Sequence, residues 1–343
     1  MMDTEGRGTS REGLPLRTLG RSGVPVTALG FGAAAIAGLY EDVGEDGAAA
    51  TIEAAWAAGI RYFDTAPHYG LGLSERRLGA ALRGKPRDAY TLSTKVGRLL
   101  EPHDGGGDDL AHGFAVPATH RRRWDFSADG VRRSLDDSLT RLGLDRVDLV
   151  LLHDPDDHEE QAFAQAYPAL EELRSQGVVH AIGAGMNQSR MLTRFVTDTD
   201  VDAVLCAGRY TLLEQGALEE LLPAAEAAGK SVIVGGVLNS GLLADPGAGA
   251  RYDYAAAPEH LLRRAVLMRD VTRAHGVELR AAAVRFPFGH PAVASVLVGA
   301  RSAAQVQDTA ERYHRPIPGA LWNALREREL LPADAPVPEG HFA

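Results

Sequence analysis

A (β/α)8 (TIM) barrel of the α/β class is the fold this sequence predicts, and three observations predict it. Eight short apolar runs alternate with amphipathic stretches along the 343 residues, as parallel strands joined by helical crossovers require. Three consecutive runs end on an ionisable residue: Asp64, Lys95 and His153. The first run is not followed by the glycine-rich phosphate turn that an open doubly wound sheet would usually carry. In a closed parallel barrel every strand points its C-terminal end at one mouth, and the chemistry of this architecture sits there.

The expected strands are 27–32, 60–64, 89–95, 146–153, 179–183, 201–207, 231–235 and 294–299. The expected helices are 46–58, 74–83, 127–142, 158–176, 189–196, 214–228, 258–275 and 302–313. Several open on a Ser or Asp cap, and Gly59, Gly143, Gly177, Gly229 and Gly276 stop five of them. Three segments depart from the repeat. Residues 16–26 hold a Gly-rich turn between apolar pieces and predict an N-terminal β-hairpin capping the barrel floor. Residues 97–126 form a long loop after the third strand, rich in Gly, His and Arg, of the kind that shapes substrate access. Residues 278–288 predict an extra helix before the last strand, and the Pro-rich tail from Pro332 is expected to wrap the surface. Residues 1–14 are read as a flexible tail and 15–343 as a single barrel domain.

Composition narrows the function. A net charge of −10 argues against nucleic acid and anionic membrane as partners, because their phosphates would be repelled. The one local basic run, His120-Arg121-Arg122-Arg123, falls in the long loop and is read as solvated or substrate-facing. A lone cysteine, Cys206 in an apolar run, permits no intrachain disulfide and fits a reducing compartment. The polar N-terminus and the absence of an apolar stretch long enough to span a bilayer give the expectation of a soluble cytoplasmic protein.

The rim residues carry the chemistry. Tyr69 lies just beyond Asp64 and joins it with Lys95 and His153. A tyrosine has an ordinary pKa of about 10, too high for easy proton exchange at neutral pH. A lysine cation within hydrogen-bond reach lowers that value, an aspartate holds the lysine, and a histidine orients an oxygen. Such a set suits interconversion of carbonyl and alcohol. It supplies no electrons, so a hydride carrier must bind. Singly, each residue has an ordinary structural role; their joint placement on consecutive strands is what points to catalysis. The run His153-Asp154-Pro155-Asp156-Asp157-His158 looks like a metal cluster but reads better as the acidic start of the next helix, and no metal is expected.

Three motifs then carry a resemblance. Phe63-Asp64-Thr65-Ala66-Pro67-His68-Tyr69-Gly70, Ser93-Thr94-Lys95 and Leu151-Leu152-His153-Asp154-Pro155-Asp156 resemble the signature regions of the aldo-keto reductases. The resemblance implies a barrel that binds NAD or NADP without a Rossmann fold. It implies Tyr69 as proton donor or acceptor, Lys95 and Asp64 as its tuning pair, and His153 as the group that orients substrate. The runs 185–188, 207–215 and 235–243 are similar to the subgroup of L-fucose, D-threo-aldose 1- and pyridoxal 4-dehydrogenases. That similarity implies a small-molecule substrate, an aldose or pyridoxal, whose hemiacetal carbon is oxidised to a lactone. A broad carbonyl reductase and a non-catalytic binding subunit are the alternative readings.

Cofactor contacts follow from position and from the resemblance. Gly299 and Arg301 open the helix after the last strand, where backbone N–H groups and a guanidinium suit a phosphate. The resemblance assigns Gln305 and Asp308 to the adenosine end. It assigns the loop Gly236, Val237, Leu238, Asn239, Ser240, Gly241 and Leu242 to a pyrophosphate strap, Tyr210 to nicotinamide stacking and Asn187 to the carboxamide. Gly32 completes the expected cofactor set. His68, Trp124 and Phe126 are the expected substrate contacts, the last two as an apolar wall.

Overall fold

In the computed structural model, which describes residues 13–247, 249–253 and 255–338, eight parallel strands close into a barrel. In chain order they are β1 (Leu29–Gly32), β2 (Tyr62–Asp64), β3 (Thr91–Val96), β4 (Leu149–His153), β5 (Ala181–Met186), β6 (Ala203–Ala207), β7 (Ser231–Gly235) and β8 (Val293–Val298). Each pairs with its chain neighbour, and β8 pairs back to β1. Every expected run is present, with ends shifted by a few residues.

The strands alternate between two cores. Inward residues, among them Tyr62, Leu149, Leu151, Ala203, Leu205, Ile233 and Leu297, fill the barrel interior. Outward residues such as Phe63, Leu92, Val150 and Leu152 meet the helices. The same period sets Asp64 two residues after Tyr62, Lys95 two after Ser93 and His153 two after Leu151, all on the inner face.

The outer layer includes α1 (Gly44–Ala57), α2 (Leu73–Leu82), α3 (Ala128–Leu142), α4 (Tyr167–Ser175), α5 (Ser189–Asp198), α6 (Leu221–Ala227), α7 (Glu259–Ala274), α8 (Leu279–Arg285), α9 (Ala303–His314) and α10 (Gly319–Glu327). Ser127 caps α3 and Ser302 caps α9, each accepting a backbone N–H. All five stop glycines adopt left-handed φ, between 62° and 86°.

Two expected helices are broken. In 158–176 a π-turn, Ala162–Ala166, precedes α4, because Pro168 has no N–H to continue the ladder. In 214–228 a short 3-10 turn, Gly216–Leu218, precedes α6.

The N-terminal hairpin pairs Leu16–Thr18 with Pro25–Thr27, and Leu19, Val24 and Val26 plug the barrel floor. Leu14, read from the sequence as the last residue of the tail, is buried in the outer core; residues 1–12 lie outside the described residues. The expected loop 97–126 is instead a two-tier β-structure. Arg98–Pro102 pairs antiparallel with His120–Trp124, and Asp108–Asp109 with Phe114–Pro117. Two arginines of the run are ion-paired within it: Arg122 binds Asp109, and Arg123 binds Glu101 and Asp125. The extra helix is α8, and the tail packs across Gly289 through Pro336 and Val337.

Gly79 of α2 lies against the end of α3, where any Cβ would overlap the Leu142 carbonyl. Gly79→Ala is expected to lower the unfolding free energy by about 1–3 kcal/mol in denaturant titration, as overpacking does.

Candidate active site

The barrel mouth gathers the four rim residues. The Lys95 ammonium is buried, donating to Asp64 Oδ2 at 2.6 Å, to the Thr65 carbonyl at 3.0 Å and to Tyr69 Oη at 3.0 Å. Ser93 donates to the other Asp64 oxygen at 2.7 Å. The Tyr69 ring lies 5.8 Å from the His153 ring, edge to face. Gly185 on β5 faces the lysine stem across the barrel, where a Cβ would make only an ordinary contact, 3.7 Å from Lys95 Cε.

Neighbouring elements fix these side chains. Thr94 points outward and donates to the fully buried Glu75 of α2, which also binds Arg141 of α3 at 2.5 Å. This pins β3 one residue before Lys95. Tyr69 sits in a tight loop where Gly70, Leu71 and Gly72 all have positive φ. Any side chain at Gly70 would collide with the Ala37 carbonyl, so glycine is required there.

The electrostatics differ from the expectation in one respect. Burial opposes the Lys95 charge, yet Asp64 and Tyr69 outweigh it and hold the ammonium well above its ordinary pKa. Burial pushes the Tyr69 phenol up; Lys95 pulls it down, while Asp64 and Asp154 push it up again. The net shift is upward, not the expected depression, because desolvation and two carboxylates exceed one cation. Burial, aided by Arg98 and Lys95, drives the His153 imidazole well below its usual value, so it is neutral at pH 7. His68 falls to about 2 for the same reason, with Arg98 and Arg122 beside it. His153 Nδ1 and His68 Nδ1 are buried without a hydrogen-bond partner.

His68 reaches the mouth, 5.7 Å from the His153 ring. Its carbonyl accepts from Arg122, which ties the insertion to the rim. Trp124 is 41% exposed beside the mouth, but Phe126 is fully buried beneath Gly97. The expected apolar wall is therefore Trp124 alone. Arg98, which the sequence reading missed, lies under the Trp124 ring at 4.0 Å and pairs with Asp154. Its place two residues after β3 was the available signal.

The remaining expected positions follow the C-terminal ends of β5, β6, β7, β8 and β1. Gly32 and Gly299 face each other, a Cβ on Gly299 lying 3.7 Å from the Gly32 carbonyl. Asn187 donates to the Ala207 carbonyl at 2.9 Å. In the strap, Asn239, Ser240 and Gly241 have positive φ, and buried Asn239 Oδ1 has no partner. Val237 and Leu242 are core side chains, so only their backbone is available to a ligand. Tyr210 is corrected: Gly208, at a left-handed φ of 72°, turns the chain after β6 and sends the ring outward. It is fully buried 5.3 Å from Phe286 and is not at the mouth.

Arg301 pairs with Glu41 at 2.9 Å. Its N–H is taken by the Gln305 side chain and the Gln305 N–H by Ser302, so two amides expected to face a phosphate are engaged. Asp308 is ion-paired with Arg280 and Arg312. Two further residues not foreseen close over this groove: Tyr40, hydrogen-bonded to Ser240 and 4.8 Å from Arg251, and Arg209, held 2.6 Å from Asp253. The orphaned Asn239 oxygen can accept from a ribose hydroxyl, and Arg301 is the cation nearest the two facing glycines for a dinucleotide phosphate, though Glu41 already pairs with it.

Comparison with known proteins decides the family. Residues 28–328 match the model of the aldo/keto reductase family. The chain belongs to the aldo/keto reductase family. This aldo/keto reductase is 48% identical to D-threo-aldose 1-dehydrogenase of Pseudomonas sp, covering 91% of this chain and 96% of that one. It is 40% identical to pyridoxal 4-dehydrogenase of Microbacterium luteolum, over 92% and 97% of the two chains. Among solved structures, the holo form of aldo-keto reductase AKR11C1 from Bacillus halodurans superposes with a TM-score of 0.73 at 27% identity, covering 95% of this reductase and 98% of that chain. The protein is thus an oxidoreductase. Among its described residues, no helix is long and apolar enough to cross a membrane.

The Lys95–Asp64 pair is almost fully buried, with side chains 2% and 3% exposed. Lys95→Met alone is expected to cost about 3–5 kcal/mol, because it strands a carboxylate in the interior. Adding Asp64→Asn should recover part of that loss in a double-mutant cycle read by denaturant unfolding.

Proposed function

We propose that this chain is an NAD(P)-dependent dehydrogenase that oxidises the hemiacetal carbon of an aldose, or of cyclic pyridoxal, to a lactone. The observation that carries the reading is the contact chain Asp64–Lys95–Tyr69, with Lys95 Nζ 2.6 Å from the carboxylate and 3.0 Å from the phenol oxygen. The relatives named for aldose and pyridoxal oxidation, at 48% and 40% identity, support the substrate class.

In this reading the anomeric hydroxyl meets Tyr69 Oη and His153. Neutral His153 holds the substrate oxygen by one hydrogen bond, as a neutral imidazole donates only once. Tyr69 removes the hydroxyl proton as the ring carbon becomes a carbonyl carbon, and Lys95 stabilises the phenolate form it needs. Bound oxidised nicotinamide supplies the acceptor for the hydride, and its positive charge favours the phenolate. Residues of the 236–242 strap, Gly32, Asn187, Gly299 and Arg301 would hold the dinucleotide, with Gln305 and Asp308 at its adenosine end. His68 and Trp124 would border the sugar.

Turnover of aldoses and pyridoxal with NAD+ or NADP+, followed at the reduced-nicotinamide absorbance, tests the reading. Faster turnover of a simple aromatic aldehyde in reduction, with no lactone from any aldose, would favour a carbonyl reductase instead. Tyr69→Phe should remove nearly all turnover while leaving fluorescence quenching by reduced cofactor intact. Since the phenol sits above its ordinary pKa, the base form is scarce at neutral pH. Oxidative kcat/KM should therefore climb about tenfold per pH unit above neutrality, and the reductive rate should not.

A further inference from the structure

The residue after His153 is in an unusual state. Asp154 has a φ of 42°, a left-handed conformation that side-chain-bearing residues rarely adopt. Its N–H donates to the Gly185 carbonyl at 3.0 Å, which holds the turn at the mouth. Its carboxylate pairs with Arg98, whose side chain is only 7% exposed and whose cation lies 4.0 Å from the Trp124 ring. Arg98 and Trp124 are register partners at the base of the insertion, so that hairpin and the turn after β4 together fix one carboxylate. That fixed oxygen, Asp154 Oδ2, lies 3.7 Å from His153 Nε2.

This separation is too long for a direct hydrogen bond. It is short enough for groups on one small ligand to engage both. His153 faces the reacting oxygen in the proposed reaction, so the next oxygen along a vicinal diol falls toward Asp154. A carboxylate can only accept, and a hydroxyl is the donor that substrate would offer. The space beyond is polar: a cavity of about 260 Å3 lined by Arg98, Trp124, Asp154, Asp156, Asn187 and Gln188. With this left-handed backbone the Asp154 carboxylate stands both on Arg98 and beside His153.

We propose that Asp154, braced by Arg98 under Trp124, accepts a hydrogen bond from the hydroxyl on the carbon next to the reacting carbon, and so selects 2-hydroxylated sugars. This rests on the hemiacetal reading above and names the group of the substrate that is read.

The test compares D-arabinose with 2-deoxy-D-ribose, the same sugar lacking only that hydroxyl. Binding of each to the enzyme loaded with reduced nicotinamide is measured by titration calorimetry, so no turnover is needed. The wild type is expected to bind the deoxy sugar about ten- to a hundredfold more weakly, the usual worth of a hydrogen bond to a charged group. Asp154→Asn keeps a residue that tolerates left-handed φ. It should shrink the ratio to a few-fold by weakening D-arabinose alone. Equal affinities in the wild type overturn the proposal, as does a preference that survives Asp154→Asn undiminished. The wild-type comparison stands even where the variant fails to fold. Absence of lactone from every aldose fails the hemiacetal reading alone, whereas an equal affinity ratio fails Asp154 alone.

Discussion

A buried ammonium group organises the mouth of this barrel. Lys95 has almost no access to water, and three oxygens replace its hydration: a carboxylate, a backbone carbonyl and a phenol. A desolvated charge is tolerated only when its partners are placed well. That requirement reaches outward. It fixes Asp64 at the end of β2, for which Ser93 supplies a further hydrogen bond. The phenol beside the cation is then held in one place by a loop that only glycine can turn.

Competing electrostatic terms give the site its character. Proximity to a cation suggests a ready base, but the same burial that protects the lysine also resists ionisation of the phenol. The protein's own groups therefore hold the Tyr69 phenol above its ordinary pKa. In the proposed reaction an oxidised nicotinamide would bring a further positive charge, which favours the phenolate. The imidazoles are the converse case. His68 and His153 are surrounded by Arg98, Arg122 and Lys95, and neutrality is their only tolerable state.

The barrel and the four rim residues were legible in the sequence, since strand alternation and strand-end position are local properties of the chain. Asp64, Lys95 and His153 each stand in register with an inward neighbour two residues earlier, and that period is visible in letters. What the letters hid were changes of direction. A single left-handed glycine, Gly208, breaks the alternation after β6 and turns Tyr210 away from the mouth. The insertion looked like a loop because its strands carry arginines where apolar residues would alternate, and acids that pair with them, Glu101 with Arg123 and Asp109 with Arg122, sit on other strands of the insertion. The brace of Arg98 on Asp154 was equally hidden, because its partners are 56 residues apart.

The hairpin at the opposite end has a different significance. Leu19, Val24 and Val26 stopper the interior, and Ser231 and Asp202 seat the turn through Gly20. With its base stoppered and its interior filled by side chains, the barrel is left open at its mouth, so in the proposed reaction cofactor and substrate would come and go by that one end.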